Sequence, residues 1–243
     1  MDLPLSFWVL ATVGVIITGI SKSGFAGGAG VLAIPLMAAV IPVTQALVIM
    51  LPLLLIMDAL AIRYYWRHAD FRLLRHLLPA ALLGVIAGGL ILGTVSDTLL
   101  ELSLASISIL FACWQKIAPL LSNFRGSAWV WGSVSGLSST LIHAGGPPLN
   151  LYLMSRKLDK LTWLASASVF FGCMNLVKII PYSLSHGFRL ADLLIAACLI
   201  PVAFFGIYIG KQLQHRINEE HFILICRILL LISGLGLLYK ALG

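Results

Sequence analysis

A 19-residue stretch occurs twice in this chain, 117 residues apart, and each copy interrupts an apolar run of membrane-crossing length. The first copy, Gly19–Met37, reads GISKSGFAGGAGVLAIPLM, and the second, Gly136–Met154, reads GLSSTLIHAGGPPLNLYLM. Gly19 aligns with Gly136, Ser21 with Ser138, Gly28 with Gly145 and Met37 with Met154. Each copy sets a small polar run before glycines and then an apolar segment. The chain therefore cannot fold as a plain series of uninterrupted helices.

Composition fixes the solvent. Of the 243 residues, 60% are hydrophobic and 10% charged, and mean hydropathy is +1.03. A soluble domain carries about 25% charge, so this chain has too little polar surface to face water all round. Runs such as Leu77–Gly93 and Phe222–Tyr239 match the roughly 20 residues that span a bilayer. The reading is an all-α polytopic membrane protein. The first apolar run is preceded by Asp2 rather than by basic residues, unlike a cleavable signal. Cys113, Cys173, Cys198 and Cys226 lie inside apolar runs without metal spacing, so no metal and no cofactor are expected. Basic residues are scattered among short loops, which argues against a nucleic-acid partner despite a net charge of +7.

Eight apolar blocks are visible, at about 5–40, 44–66, 72–93, 98–121, 127–154, 161–184, 188–212 and 219–241. As one helix the first would be about 54 Å long against a hydrocarbon core of about 30 Å, yet it is too short for two full spans and a turn. Two arms of about 15 residues meeting at a glycine tip fit it best. Pro147 and Pro148 suit the first turn of a returning arm. Residues 1–122 then form one half and 123–243 the other, each a broken hairpin (about 5–40 and 127–154) followed by three spans. If both hairpins return, eleven loop lysines and arginines fall on one side and only Arg189 and Lys240 on the other; if each block crosses once, the split is eight to five. The positive-inside rule favours returning hairpins, two inverted halves and both termini outside. At the same 117-residue offset Asp58 aligns with Asn175, Gly89 with Gly206 and Gly93 with Gly210.

Buried ionisable groups are costly in a membrane and mark function or one another. Lys22, flanked by Ser21 and Ser23 ahead of Gly27 and Gly28, is a candidate anion contact; the alternative is a lysine reaching the interface. Ser138, Ser139, Thr140, His143, Gly145 and Gly146 form the second tip. There, hydroxyls and free amides at a half-helix start suit an oxyanion, although small residues also serve helix packing. His143 is a candidate proton carrier, and Asn150 a candidate cavity residue on the returning arm. Asn175 and Lys178 share a helix face. Lys178 is expected to pair with Asp58 when no anion is bound, which makes Asp58 the candidate coupling residue; the alternative is a static buried ion pair. Arg227 reads as a snorkelling residue, and RYYWRHADFRLLR from Arg63 to Arg75 as an anchor at lipid headgroups.

The glycine-broken first segment, its echo SGLSSTLIHAGGPPLNLYLMSRKL and the following FFGCMNLVKIIPYSLSHG resemble the TauE/SafE-type sulfite exporters, also called toluene-sulfonate uptake permeases. The resemblance implies a transporter of sulfite, sulfoacetate or other organosulfonates in a bacterial inner membrane, where outside means the periplasm. Lys22 stands opposite Ser139, so the two tips are chemically unequal. The expected mechanism is alternating access at a midplane site formed by the two tips. An anion channel and a non-transporting subunit or sensor are the alternatives. No HExxH, GxSxG, paired intramembrane aspartates or nucleotide motif supports an enzyme or a pump.

Overall fold

The computed structural model describes residues 3–24, 30–113, 128–156, 158–185, 187–213 and 219–242, and these contain helices and no strand. In chain order the helices are α1 (Leu5–Gly24), α2 (Ala33–Ala38), α3 (Val43–Tyr65), α4 (Phe71–Leu92), α5 (Asp97–Ala112), α6 (Ala128–Ile142), α7 (Gly146–Met154), α8 (Lys160–Ser185), α9 (Leu190–Leu213) and α10 (Glu219–Leu242). Among the described residues six helices, α1, α3, α4, α8, α9 and α10, are long and apolar enough to cross a membrane. The chain is a multi-pass membrane protein.

Both long apolar blocks are broken, but not into two arms of about 15 residues. The arms are unequal, with 20 residues in α1 against 6 in α2, and 15 in α6 against 9 in α7. In the second block the break sits late, between Ile142 and Gly146, and nothing earlier interrupts the helix; residues 25–29 of the first block lie outside the described residues. Prolines do not set the breaks by themselves. Pro52, Pro79, Pro181 and Pro201 lie inside continuous helices, as membrane helices tolerate.

Small residues fix the packing. On α9, Gly206 lies against Ile16 and Gly19 of α1, and Gly210 against Ile20 and Ser23. On α4, Gly84 lies against Ser133 and Leu137 of α6, and Gly88 against Leu137 and Thr140. Contacts that advance together along both chains mean that α1 runs parallel to α9, and α6 parallel to α4. By contrast, Asp58 of α3 meets Asn175 of α8 while Ile62 meets Gly172, so α3 and α8 are antiparallel. The two glycine seams are alike. Ile16, Ile20 and Ser23 correspond to Ser133, Leu137 and Thr140 at the 117-residue offset, but their glycine partners, Gly206 and Gly210 against Gly84 and Gly88, are offset by 122. Gly89 and Gly93 instead face Pro181 and Ser185. The register therefore slips by five residues between Asp58 and Gly84, earlier than the apolar sequence suggests.

A Cβ at Gly84 would overlap the Ser133 carbonyl and the Leu137 amide, both backbone atoms that cannot step aside. Gly84→Ala is expected to cost about 3 kcal/mol or more by overpacking, whereas Gly236→Ala, with nothing within 4 Å, should be neutral or slightly stabilising by helix propensity. Reversible unfolding of both variants in detergent measures the difference.

At the helix starts, Asp70 accepts from the amides of Arg72 and Leu73, and Asp159 from those of Leu161 and Thr162. The Thr162 hydroxyl and backbone bonds hold the exposed Asp159 carboxyl below its ordinary range. Its contribution to the α8 cap is thus present at neutral pH and is lost as pH falls through that depressed value.

Candidate functional site

The second break is built on a histidine rather than on glycine. His143 has φ 53, the left-handed region, whereas Gly145 has φ −76. The turn is stitched by the last residues of α6. The amide of His143 donates to the Ser139 carbonyl at 3.0 Å, and that of Ala144 to the Ser138 carbonyl at 3.2 Å. The Ser135 hydroxyl donates to the Gly145 carbonyl at 2.6 Å. Gly145 is required for space, because a Cβ would lie 2.7 Å from Ser139 Cβ and 2.8 Å from the Ser135 carbonyl oxygen. Pro147 and Pro148 occupy the first turn of α7 and carry no amide proton, which leaves Gly146 as a donor at the mouth of that helix.

α8 presents a face of Phe171, Asn175, Lys178 and Tyr182, spaced by four, three and four residues, toward this turn. Lys178 is 0% exposed. Its ammonium donates to the Ser139 carbonyl at 3.1 Å, the Ser139 hydroxyl at 3.0 Å and His143 Nδ1 at 2.7 Å. An ammonium has no acceptor, so Nδ1 must accept. The imidazole proton is thereby assigned to Nε2, which faces the Leu47 carbonyl at 3.1 Å. Tyr182 stacks on the imidazole at 5.6 Å between centroids and donates to the Thr140 carbonyl at 2.8 Å.

Lys22 is buried near the end of α1 and pairs with Asp58 of α3, while its ammonium lies 5.4 Å from the Phe171 ring centroid. The other Asp58 oxygen accepts from Asn175 Nδ2 at 2.5 Å. One carboxylate thus ties α1, α3 and α8 together. The expected Lys178–Asp58 pair does not form; Lys22 takes the carboxylate, and Lys178, three residues beyond Asn175, reaches the α6 turn instead.

Between the lysines lies a cavity of about 30 Å³ lined by Lys22, Val31, Leu54, Ser139, His143, Gly146, Phe171, Asn175 and Lys178. With His143 neutral, Lys22, Lys178 and Asp58 leave a formal charge of +1. All three partners of Lys178 are neutral.

The match to known families decides the class. A family model described as sulfite exporter TauE/SafE matches residues 10–237. The chain belongs to the TauE/SafE family. No curated protein and no solved structure gives a match. As a TauE/SafE protein the chain is a membrane transporter of anions.

The other residues singled out by sequence are arranged differently. Ser23, Ser138 and Thr140 direct their hydroxyls to carbonyls four residues back in their own helices, namely those of Gly19, Val134 and Gly136. Ser21 is buried in α1 without lining the cavity. Asn150 accepts from Trp163 Nε1 at 3.3 Å and does not line the cavity. Gly27 and Gly28 lie outside the described residues. Arg227 donates to the Ala112 carbonyl at 2.8 Å and so links α10 to α5. Sequence reading missed Phe171 and Tyr182, which the same helical periodicity that paired Asn175 with Lys178 would have found.

The left-handed backbone at His143 separates two roles. His143→Ala keeps an unfavourable conformation worth about 1–2 kcal/mol and loses the ring, while His143→Gly loses the ring and relieves the backbone. The glycine variant is expected to be the more stable by about 1 kcal/mol, with both equally impaired in anion binding. Equal melting temperatures would contradict the backbone account.

Proposed function

We propose that the chain is a secondary transporter of small sulfur-containing anions, namely sulfite, sulfoacetate or another organosulfonate, working by alternating access at the cavity between Lys22 and Lys178. One observation carries this reading. Lys178 is a completely buried ammonium whose hydrogen-bond partners are all neutral, and it lines a cavity. A buried charge without a counter-charge costs several kcal/mol, and an anion in the cavity supplies the missing charge. Ser139, Asn175 and Gly146 line the same walls. The net charge of +1 suits a monoanion, or a dianion that arrives with a proton.

A volume of about 30 Å³ holds one or two waters. A sulfonate enters only if the walls move, which favours a carrier over an open channel. Asp58 is the coupling residue of this reading, since its protonation would release Lys22 to the anion. The parallel pairing of α1 with α9 and of α6 with α4, with α3 antiparallel to α8, supports two inverted halves, 1–122 and 123–243. In this reading the arginine-rich face is cytoplasmic, the chain sits in a bacterial inner membrane, and both termini are periplasmic.

The test is flux in proteoliposomes with sulfite, sulfate, thiosulfate, sulfonates and carboxylates. Saturable flux of sulfite or a sulfonate, driven by a proton gradient, is the expected result. Conductance at channel rates, or movement of none of these anions, contradicts the proposal.

A further inference from the structure

A second cavity opens where α4 and α7 meet on the arginine-rich face. Its volume is about 360 Å³, and Arg72, Arg75 and His76 of α4, Tyr152 of α7, and Asp70 and Arg156 line it. That volume falls among small-ligand sites and exceeds the lysine cavity more than tenfold. Its charge is not spent on the protein. The Asp70 carboxylate caps α4, and among the described residues no carboxylate lies within ion-pair distance of Arg72, Arg75 or Arg156. Three guanidiniums therefore face one committed carboxylate. Arg156 is held in place, donating to the Tyr152 hydroxyl at 2.8 Å with its guanidinium 4.7 Å from the ring centroid, and Tyr152 is buried. A guanidinium fixed in this way offers paired donors to an oxyanion at reduced entropic cost.

α7 joins this pocket to the lysine cavity. Gly146 lines the inner cavity and Tyr152 the outer pocket, six residues apart or roughly 9 Å along the helix. Leu149 and Leu153 of α7 pack with Phe170 and Phe171 of α8 in one buried apolar cluster alongside that stretch. Two positively charged cavities thus lie at the two ends of one short helix, with an apolar layer beside it.

We propose that the arginine pocket is a second anion site, the loading and release station for the transported oxyanion on the arginine-rich face, and that the apolar layer of α7 and α8 is the barrier between the two stations. This rests on the lysine cavity being a transport site. The same guanidiniums suit the phosphate of an anionic lipid, and the test separates the two sources.

Initial sulfite flux is measured from each face separately, for wild type and Arg72→Gln/Arg156→Gln, in vesicles of zwitterionic lipid alone and with phosphatidylglycerol. The expected result is a KM raised about tenfold from the arginine-rich face only, in both lipids, with a flatter dependence on ionic strength. Arg72→Lys/Arg156→Lys, which keeps charge without the fork, should fall between. An unchanged KM overturns the second site, and a difference confined to phosphatidylglycerol vesicles assigns the pocket to lipid and overturns it equally. Sulfite protection of the wild type against thermal unfolding, lost in Lys178→Met, reports on the inner site independently. Protection without an arginine effect overturns only the outer station, whereas absence of both protection and flux overturns the transport reading with it.

Discussion

Replacing Lys178 with methionine is expected to abolish anion binding while leaving the fold intact. Methionine is close to lysine in length and removes a buried charge whose burial costs several kcal/mol. It also leaves His143 Nδ1 without its donor, at about 1–3 kcal/mol, while the Ser139 carbonyl keeps the His143 amide. These effects oppose one another, so the melting temperature should move by only a few degrees. Affinity for the anion should fall by about 2 kcal/mol or more, roughly 30-fold at least, because a buried charge partner is lost. Binding and melting measured on the same preparation separate the roles. Unchanged affinity would remove Lys178 from the site, and failure to fold would make it a structural residue.

The Lys22–Asp58 pair should behave in the opposite way. Their side chains are 9% and 3% exposed. Asp58→Asn leaves an ammonium buried beside a neutral amide, and Lys22→Met leaves a carboxylate supported by Asn175 alone. Each is expected to cost about 3–5 kcal/mol, whereas Lys22→Met/Asp58→Asn should recover most of the loss because no lone charge remains. A double-mutant cycle on unfolding free energy measures this, and additive single effects would contradict a direct pair. The double variant also tests coupling. Flux that keeps its full pH dependence without Asp58 removes the carboxylate from the proton pathway.

The parts of this arrangement legible in the sequence are those that depend on local spacing. Two broken blocks are visible because glycine, proline and serine interrupt apolar runs. Asn175 and Lys178 fall on one face because they are three residues apart. Buried cations stand out against an apolar background. The remainder depends on distant geometry. Asp58 is 36 residues from Lys22 and 120 from Lys178, and spacing does not reveal which ammonium reaches it. A serine near a helix end can donate to a ligand or to the carbonyl four residues back, and Ser23, Ser138 and Thr140 take the second course. His143 takes the left-handed turn although glycines follow it, because its ring is held by Lys178 and the Leu47 carbonyl. The five-residue slip between the glycine seams is hidden because apolar helices match one another in several registers.

Selenite locates the anion most directly, as a sulfite analogue whose selenium scatters anomalously. Crystals of the wild type grown with selenite should show one anomalous peak between Lys22 and Lys178, within hydrogen-bond reach of Lys178 Nζ and the Ser139 hydroxyl, and that peak should be missing from Lys178→Met. Selenium bound elsewhere with the lysine cavity empty, or an equal peak in the methionine variant, would contradict the account.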